Sequence, residues 1–124
     1  MPAKISYDTH APTASLELMI TKPVADYDLG EVEASIPRDV DPMLASQGFL
    51  DLLDEVRGLL QKELADEPME VVQLTGAICH DKAIHRPGIW LVLREKTGEK
   101  QMTAAARDRV AAIGETIVAT FDLG

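Results

Sequence analysis

A chain of 124 residues, 46% apolar and 27% charged, has the size of one domain and can bury enough surface to fold without a disulfide or a structural metal. Its net charge of −9 argues against nucleic acid and anionic membrane as partners, because their phosphates recruit Lys and Arg. No run approaches the roughly 18 apolar residues of a spanning helix, the start MPAKISYDTH lacks the apolar stretch of a signal peptide, and the single Cys79 allows no internal disulfide, so the expectation is a cytoplasmic protein.

Residues 1–13, with Pro2 and Pro12 and no periodicity, read as a flexible N-terminal arm. Alternation begins at Ser15, where Leu16, Leu18 and Ile20 fall on one side and Glu17, Met19 and Thr21 on the other, the mark of a half-buried strand over Ser15 to Thr21. The turn formers Pro23, Asp26, Asp28 and Gly30 separate it from a second alternation, Val32, Ala34 and Ile36 against Glu31, Glu33 and Ser35, and the two are expected to form a hairpin. Asp41-Pro42 then offers a helix start, since the Asp side chain can accept an orphan N–H and Pro has none to satisfy.

From Met43 to Ala65 the residues Leu44, Phe49, Leu52, Leu53, Val56, Leu59, Leu60 and Leu64 recur at three- and four-residue steps until Pro68 stops the run. Leu50 lies beside that stripe, so the apolar face is broader than one sheet requires. The runs EVVQLTGAIC and GIWLVLRE read as two further strands, both more buried than the first pair, joined by a polar connection from His80 to Gly88. A last helix from about Gln101 to Thr120 carries Met102, Ala106, Val110, Ile113, Ile117 and Phe121 on one stripe. Ala105, Ala112 and Ala119 recur on it at seven-residue spacing, a row that would let the first helix or a second copy approach closely.

The expected fold is α+β: two successive strand-strand-helix units forming a four-stranded, mostly antiparallel sheet with two helices on one face, in one domain over residues 14–124. Charge is uneven along it. Up to Glu70 there are fifteen Asp and Glu against five Lys and Arg, and from Val71 onward six against seven.

Motifs for chemistry are weak. Cys79, His80, Asp81 and His85 gather metal-ligand types without the paired spacing of a zinc site, and a strand through Cys79 would send Cys79 and His80 to opposite faces. Cys79 as a nucleophile lacks a glycine elbow, a following helix N-terminus and an orienting group. Asp26, Asp28, Glu31 and Glu33 form an acidic cluster without calcium-loop spacing and read as a solvated acidic surface. No glycine-rich phosphate loop is present, and the basic residues of the second half lack interleaved aromatics. No cofactor or metal is implied.

If Ile89, Leu91 and Leu93 face the helices, then Met19, Trp90 and Val92 form an apolar patch on the other side of the sheet, a candidate interface. The first expectation is therefore a small acidic non-enzymatic protein that self-associates as a homo-oligomer through that face or the Ala105, Ala112, Ala119 row. Its size and charge suit a phage or mobile-element structural or accessory subunit, and acidic first half against basic second half would favour head-to-tail assembly. The alternatives are an acidic binder of another protein, as a secretion chaperone or a nucleic-acid-mimicking inhibitor would be, and an enzyme using Cys79.

Overall fold

The computed structural model describes residues 3–21, 44, 46–81, 84–97 and 100–123, with only the backbone described at 80, 81, 84 and 85. The elements are β1 (Ala3–Tyr7), β2 (Thr13–Met19), α1 (Gln47–Glu63), β3 (Met69–Asp81), β4 (Ile84–Glu95) and α2 (Ala104–Phe121). The strands form one antiparallel sheet in the order β1-β2-β4-β3, so the class is α+β and the chain repeats strand-strand-helix twice.

The first hairpin, however, is built from different residues than the alternation implies. Its first strand lies inside the stretch read as an arm: Ala3, Ile5 and Tyr7 pack against the core while Lys4 and Ser6 stay exposed. Pairing with β2, from Ala3 opposite Leu18 to Tyr7 opposite Ala14, holds this short segment. The Tyr7 hydroxyl also donates to the Arg107 carbonyl at 3.2 Å, and the Arg107 guanidinium lies 4.9 Å from the centre of the Tyr7 ring, tying β1 to α2. The strand read at residues 31–36, the acidic cluster Asp26, Asp28, Glu31 and Glu33, and the helix start at Asp41-Pro42 all lie outside the described residues.

The second hairpin is longer than expected. Residues 80, 81 and 84–88, read as a polar connection, belong to the strands, with Cys79 opposite Arg86 and Ile78 opposite Pro87. Pro87 is tolerated because β4 outruns β2 there; its carbonyl still accepts from the Ile20 N–H at 2.9 Å, so its missing donor falls at the end of that ladder. Both strands are expected to be more buried than the first pair; among the described strands β4 is central, whereas β3 is an edge with Val71, Val72 and Ile78 exposed.

Alternation along β2 and β4 builds the core. Ala14, Leu16, Leu18, Ile20, Ile89, Leu91 and Leu93 are buried together with Phe49, Leu52, Leu53, Val56 and Leu60 of α1 and Val110, Ile113 and Ile117 of α2. Both helices start on hydroxyl caps: Ser46 Oγ accepts from the Phe49 N–H at 3.2 Å, and Thr103 Oγ1 accepts from the Ala106 N–H at 3.3 Å. The Thr103 N–H and hydroxyl in turn donate to the Glu95 carboxylate at 2.8 and 2.7 Å, which satisfies an acid that is only 4% exposed and fixes α2 to the end of β4. Asp122, at φ 54°, closes α2 in the left-handed region. Arg109 reaches from α2 to Glu63 and Glu67 at 3.0 and 2.7 Å, clamping it to the end of α1. Among the described residues no helix is long and apolar enough to cross a membrane.

Candidate interaction surface

The pairing registers set the second face of the sheet in rows. Lys4, Glu17, Trp90 and Thr75 run across it in one row, Ser6, Ser15, Val92 and Gln73 in the next, and Met19 with Gly88 and Ala77 in a third. Met19, Trp90 and Val92 thus share the face opposite Leu16, Ile89 and Leu91, and none of them joins the core cluster. All three are half-buried.

Cys79 lies on that same face. A Cβ built on Gly88 would collide with the Cys79 Sγ, so the absent side chain at 88 leaves the space that the thiol fills over β4. There it is fully buried. Burial pushes the thiol up to about 12; a hydrogen bond to the Glu17 carboxylate and that group's negative charge act in the same direction, and Lys4 opposes them weakly. A thiol held this way is a poor nucleophile, because the thiolate is the reactive form. Iodoacetamide at pH 8 is therefore expected to label Cys79 roughly a thousandfold more slowly in the folded protein than in the urea-unfolded chain. Equal labelling rates, read by intact mass, would contradict this placement of the thiol. No cluster of three or more His, Cys, Asp or Glu suited to a metal is found among the described residues.

The alanine row on α2 faces solvent. Ala105, Ala112 and Ala119 are exposed, while Ala106, Val110, Ile113 and Ile117 on the neighbouring stripe are buried, so the row does not serve as the seat of α1.

The feature that the sequence pattern missed is the β3 edge. Among the described residues the exposed large apolar side chains are Val71, Val72 and Ile78, at 40, 56 and 42%, and Leu50, at 43%. Three belong to β3. The fourth is on α1, whose Phe49 ring lies over Gly76 in the middle of β3. A bulge between Val71 and Gln73 leaves Val72 without a partner residue in β4. A helix turns 100° per residue, which puts Leu50 on one stripe with Arg57 and Gln61. Arg57 and Gln61 line, with Met69, Glu70 and Val71, a cleft of about 420 Å³ between α1 and β3, so this stripe of α1 is the one beside the edge strand. Strand signals of the run were legible, but edge or centre is decided by which strands pair, and apolar content does not encode it. Comparison with known proteins finds no matching family model, no matching curated protein and no matching solved structure, so the surface is interpreted from its own geometry.

Proposed function

We propose that this chain is a small non-enzymatic interaction protein that self-associates, using the β3 side of its sheet. The observation that carries the reading is the segregation of exposed large apolar side chains: Leu50, Val71, Val72 and Ile78 all lie on β3 or on the α1 stripe beside it. Scattered apolar residues are ordinary on a monomer surface, whereas exposed apolar residues gathered on a strand that is an edge among the described residues, and on the helix stripe beside it, favour a partner there. The buried, protonated thiol of Cys79 counts against an enzyme built on that residue.

Light scattering coupled to gel filtration tests the reading. The expected mass at micromolar concentration is a multiple of the 13.5 kDa chain, and added salt is expected to strengthen the association, since copies of net charge −9 repel while the contact itself is apolar. A 13.5 kDa particle at every concentration tried overturns the proposal. Association that salt dissolves would instead favour the head-to-tail pairing of acidic and basic halves.

A further inference from the structure

We infer that β3 is a homotypic edge, pairing antiparallel with β3 of a second copy about a two-fold axis at Thr75, so that two four-stranded sheets become one. This rests on the self-association proposed above and adds the contact and its register.

The strand is unusual for an edge. It spans thirteen residues, Met69–Asp81, with no Pro or Lys, and charged side chains occur only toward its ends, at Glu70 and Asp81. Natural edges are blunted by short length, lysine, proline or bulges. β1, the opposite edge, fits that description, with five residues and exposed Lys4 and Ser6. On β3 the single bulge is confined to Val71–Gln73, and the nine residues from Gln73 onward keep regular pairing with β4. Among the described residues no strand lies on the outer side of β3, so the outward N–H and C=O groups of these nine residues offer a template for another strand.

What fits that template is the strand itself. An axis at Thr75 sets Val72 opposite Ile78, the two most exposed apolar positions among Val71, Val72 and Ile78, and does so twice in a symmetric pair. The same register puts Gln73 opposite Ala77 and Leu74 opposite Gly76, and at the ends Glu70 falls opposite His80 and Met69 opposite Asp81, so no like charges meet. Shifting the axis one residue to Leu74 would set Glu70 against Ile78, and shifting it to Gly76 would set Val71 against Asp81. Only the Thr75 axis keeps exposed apolar residues away from charge among these three.

Leu74, Gly76 and Ile78 continue one alternation, and Gly76 is the position beneath the Phe49 ring, so Ile78 emerges on the α1 side of the sheet; Val71, opposite Leu93, shares that side, and Val72 sits at the bulge beside it. Leu50, on the adjoining stripe of α1, then borders the same joint. A two-fold pairing of β3 would bring this border from both copies together and cover all four exposed residues in one contact.

The register is tested by cysteine placement in the full chain, with native Cys79 left buried as its own control. Thr75→Cys should form a disulfide-linked dimer under mild oxidation, because a residue on the axis faces its own copy at about 4.5–5.5 Å. Val72→Cys alone should not, since the two copies of that residue would be six positions apart along the strand, about 20 Å. A mixture of Val72→Cys and Ile78→Cys chains should link. Separately, Val72→Lys with Ile78→Lys should leave the melting transition in place and shift the light-scattering mass to that of one chain. If the unmodified protein is an oligomer that survives the lysine pair and Thr75→Cys does not link, the β3 contact is wrong while self-association stands. If the unmodified protein is a monomer at every concentration, or gains mass only when a strand from another protein is supplied, self-association and its register both fall.

Discussion

Gly88→Ala is expected to lower stability by about 3 kcal/mol, a fall in melting temperature on the order of 10 °C. Gly88 sits in the central strand between Met19 of β2 and Ala77 of β3. A Cβ there would lie 2.7 Å from the Leu18 carbonyl oxygen and would collide with the Cys79 Sγ. The sulfur can swing away at the cost of its hydrogen bond to Glu17; the carbonyl cannot, because it belongs to a strand paired on both sides. Cys79→Ala in the same chain should therefore recover only part of the loss. Gly58 supplies the opposite sign within one experiment: nothing lies within 4 Å of its would-be Cβ on exposed α1, so Gly58→Ala should gain roughly 0.5–1 kcal/mol from helix propensity. Urea melts of the three variants read both effects, and a Gly88→Ala protein as stable as the parent would mean that β2 and β4 are not packed as described.

These two glycines also mark the limit of what a sequence discloses here. Gly58 interrupts a strong three- and four-residue rhythm without hiding it, and α1 is found at Gln47–Glu63 within the expected 43–65. The β2 and β4 alternations are equally legible, because Leu16, Leu18, Ile89, Leu91 and Leu93 face a core that demands aliphatic residues at every second place. What fails is pairing. Ile5 and Tyr7 do alternate with Lys4 and Ser6, yet five residues give too short a pattern to stand out, and their stability comes from β2 and α2 rather than from their own composition. Likewise EVVQLTGAIC is apolar enough to read as an inner strand, while among the described strands its sole neighbour is β4. The apolar content that looked like burial is instead exposed at Val71, Val72 and Ile78, and that mismatch between composition and position is the basis of the proposed contact. For the thiol, the chain discloses only that Cys79 lacks a glycine elbow and a following helix N-terminus. Its lodging above Gly88, next to Glu17, depends on three strands coming together and has no signature along the chain.

The largest single loss is expected at Phe49→Ala, about 3–5 kcal/mol, enough to leave a domain of this size only marginally folded. Phe49 is fully buried and is the largest side chain in that state; removing its ring opens a void between α1 and the β3 edge that the backbone cannot close, because Gly76 beneath it has no side chain to expand. The reciprocal change has a different character. A Cβ at Gly76 would lie 2.7 Å from Phe49 Cε1 and 3.1 Å from Leu44 Cδ2, both ends of side chains rather than backbone, so Gly76→Ala alone should cost less than Gly88→Ala. Combining Gly76→Ala with Phe49→Leu gives the new methyl room that the smaller side chain vacates, and the pair should cost at least about 1 kcal/mol less than the sum of the two single changes. Additive losses in urea would show that the ring does not rest on Gly76. Because the Phe49 ring resting on the bare Gly76 backbone helps hold α1 over β3, loosening it should also weaken self-association, and a Phe49→Leu chain that melts early yet keeps its full oligomeric mass would place the interface away from the α1 and β3 side.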